Sequence, residues 1–187
     1  MAFHWIQQVH GTTVVRAETV LAGHTTADGM VTGVPECVCA ILTADCLPVL
    51  LCNRAGTKVA AAHAGWRGLA SGILEATLCA LETPGKELLA WLGPAISARH
   101  FEVDREVRMR FLARDPMAES GFERTESGRW RADLYHLARQ RLARLGVHSV
   151  YGGAYCTYSD PVRFYSYRRD HITGRMASLI WIAKATS

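Results

Sequence analysis

The apolar positions along this chain change period several times, and each change marks an element. Residues 37–42 and 47–53 are short continuous apolar runs rich in Val, Leu and Cys, the pattern of strands buried on both faces. Arg-Ala-Gly-Thr at 54–57 carries turn chemistry, so 58–62 is predicted as a third strand, hairpinned to the one before it. From Gly65 the repeat lengthens to four. Leu69, Ile73, Thr77 and Leu81 form one buried stripe, which predicts one helix stopped by Pro84-Gly85.

Residues 88–92 are a further apolar strand, ended by Gly93-Pro94. Asp104 can cap a helix with Val107, Phe111 and Leu112 on its inner side. Residues 115–130 are polar and predict a loop. Residues 133–145 predict an amphipathic helix, with Leu134, Ala138, Leu142 and Leu145 inward, arginines outward and Gly146 at its C-terminal position. Residues 147–151 and 176–182 close the chain as strands, the second expected to be central. Strands outnumber helices without regular alternation, so the predicted class is α+β with a mixed sheet, in one domain over residues 1–187.

Composition agrees with one packed domain. The chain is 49% apolar and 20% charged, with both signs spread along it and a net charge of only +4. No basic stripe interleaved with aromatics occurs, so no nucleic-acid partner is expected. The start lacks a basic segment followed by an apolar one, and no apolar run reaches the ~20 residues that span a bilayer. The expectation is a cytoplasmic protein with no membrane partner; monomer and homodimer are both compatible. The six cysteines (37, 39, 46, 52, 79 and 156) lie mostly in apolar runs and read as reduced thiols. Cys37 and Cys39 share one face of a strand and read as core.

Candidate chemistry lies at the ends of the apolar runs. Gln-Val-His-Gly holds His10, Thr-Ala-Asp-Cys holds Cys46, and Ala-Ala-His-Ala-Gly-Trp-Arg-Gly holds His63. A thiolate and two imidazoles are good zinc ligands, and three protein ligands leave a fourth tetrahedral position open, as catalytic sites do. The predicted hairpin brings Cys46 and His63 to one sheet edge, and Gly11 and Gly65 allow close approach. Gly65-Trp66-Arg67-Gly68 opens a helix whose free N–H groups, with the Arg67 guanidinium, read as an anion site. Asp45 can accept a proton, orient a ligand imidazole or cap its strand. Without a metal, Cys46 and His63 read instead as nucleophile and base of an amide hydrolase; a structural zinc in an interaction protein is a third reading.

These segments resemble the YfiH-type family, also called laccase-domain or polyphenol oxidase-like proteins and associated with purine nucleoside phosphorylase activity. The resemblance rests on Gln-Val-His-Gly (8–11), Ala-Asp-Gly-Met-Val-Thr (27–32), Thr-Ala-Asp-Cys-Leu-Pro-Val (43–49) and His-Ala-Gly-Trp-Arg-Gly (63–68). It continues with Gly-Pro-Ala-Ile (93–96), Phe-Glu-Val (101–103), Phe-Tyr-Ser-Tyr-Arg-Arg-Asp (164–170) and Thr-Gly-Arg (173–175).

The resemblance implies one zinc on His10, Cys46 and His63, and an α/β/β/α sandwich similar to the deamidase domain of cytotoxic necrotizing factor. It also implies phosphorolysis of adenosine, inosine, guanosine and methylthioadenosine, with adenosine deamination as a second reaction. Phosphate and purine nucleosides are then the partners. A copper polyphenol oxidase fits the histidine pattern less well, because no two of the eight histidines are two apart. A Cys-His-His set can still take up copper, which outcompetes zinc in affinity. Family members usually carry a further ~50 residues before the first motif, which here begins at residue 8. The expectation is that the chain folds and holds zinc, with weak turnover.

Overall fold

The computed structural model describes residues 5–21 and 24–184. Its central element is a six-stranded mixed sheet. The strands are β1 (Val14–Arg16), β2 (Gly29–Thr32), β4 (Leu47–Asn53), β5 (Val59–Ala64), β6 (Leu88–Leu92) and β10 (Ser149–Gly152), in the spatial order β1-β2-β5-β4-β6-β10. The four inner strands are antiparallel, and β1 and β10 are added in parallel at the two edges. The predicted hairpin is present, with Leu47 opposite Ala64 and Pro48 opposite His63.

Each face of this sheet packs against something different. Alternate residues of β5, Ala60, Ala62 and Ala64, join a core with Leu69, Ile73, Leu74 and Leu81. These come from α1 (Trp66–Ser71) and α2 (Ile73–Leu81). The intervening Val59 and Ala61 join a second core with Met30, Cys39 and Ile41. That core is closed by a two-stranded antiparallel ribbon of β3 (Val38–Thr43) and β11 (Met176–Trp181). Because strand side chains alternate, His63 falls on the ribbon side of β5 with Val59 and Ala61. The small residues of β5 let helices and ribbon approach from opposite sides. Burying each Leu or Ile of the helix stripe contributes about 1.5–3 kcal/mol.

The structure corrects several expectations. The single helix after Gly65 is two helices, broken at Gly72, which has φ +104°. The stripe is continuous, since Leu69, Ile73 and Thr77 are fully buried and Leu81 nearly so, and a four-residue period does not register the break. The polar stretch 115–130 is not a loop. Asp115 accepts from the Met117 N–H and starts a 3-10 turn with Pro116 in its first position. Then β8 (Phe122–Arg124) and β9 (Trp130–Ala132) pair with each other, and β9 with β7 (Glu102–Val103), as a small three-stranded sheet. Three-residue strands are too short to show a period.

The last strand is not central. Among the described residues β11 pairs only with β3, with Ala177, Leu179 and Trp181 exposed on its outer face and the intervening residues half-buried. The helix α3 (Arg105–Leu112) is capped by Asp104 as expected. In α4 (Leu134–Arg144), Leu134, Ala138 and Leu142 point inward as expected, but one arginine does too. Arg141 is buried and donates to Glu75 Oε1 at 2.5 Å and to the Ala70 carbonyl, so it bridges α4 to α1 and α2. Of the cysteines, Cys37 and Cys39 are buried, Cys79 is exposed, and all six are free.

Gly72→Ala tests the helix break. A Cβ at φ +104° is strained and would lie 2.7 Å from an Arg114 guanidinium nitrogen. The expected outcome is a loss of about 1 kcal/mol or more in urea unfolding. An unchanged midpoint would show that the break is not held at Gly72.

Candidate metal centre and cleft

Three chain segments meet where β4 and β5 leave the sheet. Cys46 precedes β4, His63 is the penultimate residue of β5, and His10 comes from the arm before β1. Their ligand atoms all lie within 4.8 Å of one another, and Cys46 Sγ is 3.7 Å from His10 Nε2. The imidazoles meet edge to face, with ring centroids 4.7 Å apart. Ligand atoms about 2.0–2.3 Å from a tetrahedral ion stand roughly 3.3–3.8 Å apart, so this donor set fits a small divalent cation after minor adjustment.

Gly65 makes the convergence feasible. A Cβ there would stand 2.9 Å from both Cys46 Sγ and His10 Cδ2. The space between the ligands is therefore where a side chain at residue 65 would be.

The residue that assembles the site is Asp28, which sequence reasoning missed. It is fully buried, and its Oδ1 is 2.8 Å from His63 Nδ1. The same carboxylate accepts from the backbone N–H groups of Val9, His10 and Gly11, at 3.2, 2.8 and 2.6 Å. His10 adopts φ +62°, and the three successive N–H groups converge on one anion. With Nδ1 engaged by Asp28, His63 presents Nε2 to the ligand cluster, the usual carboxylate–histidine support of a metal site. Asp28 lies within the Ala-Asp-Gly-Met-Val-Thr segment, but most of its bonds are to backbone, which no side-chain pattern reveals. The arm is pinned once more by Gln8, whose amide exchanges two 2.8 Å hydrogen bonds with the backbone of Leu42.

Asp45 occupies a different place. Its Oδ1 accepts from Thr157 Oγ1 and its Oδ2 from the Arg168 N–H, both at 2.6 Å. The carboxylate hydrogen-bonded to an imidazole is thus Asp28, not Asp45.

The ligands face a cleft of about 610 Å³, which Gln8, Trp66, Arg67, Phe101, Tyr167, Arg168 and Arg175 also line. That size suits a small organic ligand. Arg67 is exposed and stacks on the Trp66 ring at 4.5 Å. Arg168 donates to the carbonyls of His100 and Glu102 and lies over Phe101. Tyr167 and Arg168 belong to α5 (Tyr167–Asp170), far from the ligands in sequence, and sequence reasoning gave them no role. The anion-site expectation at Gly65 changes in weight. The helix there spans only Trp66–Ser71, so the Arg67 guanidinium matters more than the helix dipole.

Electrostatics follow from these contacts. Burial pushes the Cys46 thiol up, but hydrogen bonds from His10 and His63 and their charge more than offset this and bring it down to about 7. Burial pushes His63 down, and hydrogen bonds to Asp28 and Cys46 reverse this and raise it to about 9. Burial opposes ionisation of Asp28, yet its bonds from His63 and Gly11 hold the carboxyl below its usual range. Each of the two groups thus favours the charged form of the other, the thiolate of Cys46 and the imidazolium of His63.

The fold and the site together define an α+β protein with a three-ligand group at the floor of a cleft. Comparisons with known proteins place that class. The family described as multi-copper polyphenol oxidoreductase laccase matches residues 1–183. A purine nucleoside phosphorylase of Pseudomonas aeruginosa is 55% identical over 179 residues, covering 95% of this chain and 73% of that protein. The purine nucleoside phosphorylase YfiH of Escherichia coli is 52% identical over 178 residues, with the same coverage of each.

A Neisseria meningitidis structure superposes with a TM-score of 0.93 at 53% identity, covering 96% of this chain and 74% of that one. The Bacillus licheniformis YfiH structure gives 0.85 at 27% identity, covering 96% and 73%. The chain belongs to this laccase-like, YfiH-type family. Among the described residues no helix is long and apolar enough to cross a membrane.

The Cys46–His63 pair gives a pH prediction. A depressed thiol adds stability that is fully present above its unfolded value near 9 and is lost as pH falls through about 7. A raised imidazole adds stability that is fully present below its unfolded value near 6.5 and is lost as pH rises through about 9. The two contributions run in opposite directions between these values, and Cys46→Ser removes the thiol's, so in chelator-treated protein the stability advantage of wild type over Cys46→Ser should grow as pH rises from about 7 towards 9. Urea unfolding at stepped pH measures it, and a difference that does not vary with pH would remove the ion pair.

Proposed function

We propose that this protein is a zinc-dependent purine nucleoside phosphorylase acting on adenosine, inosine, guanosine and methylthioadenosine, with adenosine deamination as a second activity. The observation that carries the reading is the His10–Cys46–His63 group opening onto a nucleoside-sized cleft that also contains the Arg67 guanidinium. The names of the Pseudomonas and Escherichia relatives support the reaction class. The family description speaks of several coppers, whereas the described residues gather one three-ligand group. A thiolate with two imidazoles suits zinc.

When bound, zinc supplies a Lewis acid at the floor of the cleft. The chain's own residues do the rest. Asp28 fixes the tautomer and orientation of His63 through Nδ1. Tyr167, exposed on the cleft wall, offers aromatic surface for a purine. Arg67 can hold phosphate in a fork, with its aliphatic stem and stacking on Trp66 limiting its freedom. A phosphate oxygen attacks the ribose anomeric carbon, the bond to the purine nitrogen breaks, and the departing base takes, through water, the proton that the phosphate gives up, leaving ribose 1-phosphate. Holding both reactants in one cleft supplies the proximity this displacement needs.

A second reading has one specific observation in its favour. The thiol lowered to about 7 beside a raised imidazole is also what a Cys-His amide hydrolase requires.

Two measurements decide between the readings. Protein purified without added metal should carry about one zinc per chain, and Cys46→Ala should lose most of it. Release of hypoxanthine from inosine should require phosphate, and Arg67→Ala should raise the apparent KM for phosphate about tenfold with zinc retained. Full metal content in Cys46→Ala would favour the hydrolase, and phosphate-independent cleavage would sink phosphorolysis.

A further inference from the structure

The contacts of Asp45 are unlike those of a proton carrier. The residue is largely buried, adopts φ +83° between Ala44 and the ligand Cys46, and directs both carboxylate oxygens away from the ligand cluster. One oxygen takes the Thr157 hydroxyl and the other takes the Arg168 N–H, partners 112 and 123 residues further along the chain. Its own carbonyl accepts from the Ile96 N–H.

These partners belong to a segment with little apolar core of its own. Thr157 and Ser166 are fully buried, and Ser166 caps α5 by accepting from the Arg169 N–H. Arg169 in turn donates to the carbonyls of Thr157, Tyr158 and Phe164. Residues 157–170 are thus a clip held together by its own hydrogen bonds. At its N-terminal turn α5 has two capping acceptors, the local Ser166 and the remote Asp45. A four-residue helix cannot hold itself in place, because nucleation costs more than so few internal bonds return. Yet α5 supplies Tyr167 and Arg168 to the cleft wall.

We propose that Asp45 is a positioning residue, a latch that fixes the Tyr167–Arg168 wall of the cleft relative to the turn carrying Cys46. Through it the ligand floor and the wall that contacts substrate share one anchor, so wall position determines substrate affinity without altering the metal ligands. The left-handed backbone at Asp45 lets its carboxylate meet Thr157 and Arg168 while the thiol of the next residue joins His10 and His63. Strain at a non-glycine φ of this kind persists when the surroundings over-determine it, as two short hydrogen bonds, one buried and one partly buried, do here.

The test compares wild type, Asp45→Asn and Asp45→Gly. Asparagine keeps the shape and one good acceptor, so it should rescue in part. Glycine suits the backbone and removes the carboxylate, which separates strain from latching. Three quantities are read: metal content, hydrogen exchange over residues 157–170, and the kinetics of inosine phosphorolysis.

In Asp45→Gly, exchange of the 157–170 amides should rise about tenfold or more, with Asp45→Asn between it and wild type, and metal content should match wild type. The KM for inosine should rise about tenfold while kcat changes by less than about threefold. Unchanged exchange in Asp45→Gly, or a fall in kcat with KM intact, overturns the latch. The kinetic arm rests on the phosphorolysis reading; if wild type leaves inosine intact, that reading fails while exchange still decides the latch. Thr157→Val removes one partner from the opposite side, and it should shift exchange in the same direction even if the Asp45 variants do not fold.

Discussion

A single buried carboxylate organises the ligand end of this molecule. Asp28 sits immediately before β2, and its oxygens hold an imidazole from β5 and three consecutive N–H groups of the His10 arm. Burying a carboxylate is costly unless its charge is met by hydrogen bonds and an opposite charge. Here both conditions hold, and meeting them forces the arm and the strand together. Two of the three ligands therefore depend on one anion for their placement. The third, Cys46, is placed by the β4–β5 register and by the bonds that hold its neighbour Asp45. The fold itself thus brings the three side chains together, so an ion held there would require little reorganisation.

A second buried charge plays a comparable structural part elsewhere. Arg141 reaches from α4 to Glu75 on α2 and to the end of α1, so it ties together the helices covering one face of the sheet. Its partner Glu75 is partly exposed, and such pairs contribute less to stability than their short distance suggests. What they do well is exclude alternatives, since a helix displaced by one turn would strand the guanidinium without a partner.

The convergence of His10, Cys46 and His63 was legible because each sits in a short local motif at the end of an apolar run, which is visible without a structure. The α+β class and the central hairpin were legible for the same reason. Asp28 was not, because a carboxylate satisfied by backbone N–H groups leaves no partner side chain to pair with it in the sequence. Tyr167 and Arg168 were quoted among matching residues, but their place in the cleft depends on a hydrogen bond spanning 123 residues. The helix break at Gly72 was hidden by a buried stripe that runs through it. β11 looked central because it is apolar, although its alternating burial is that of a strand covered on one side.

Pro48 gives the hairpin a safeguard against misalignment. It stands in β4, opposite His63, in a strand paired on both sides, where proline is rarely found because it has no N–H to donate. Sliding β4 by one residue against β5 would reverse which side of the sheet each of its side chains faces and send Cys46 away from His63. The same slip would move the proline from its present rung, where its missing N–H is not asked of β5, to one that needs a donor, so the residue penalises the misalignment that would part thiol from imidazole.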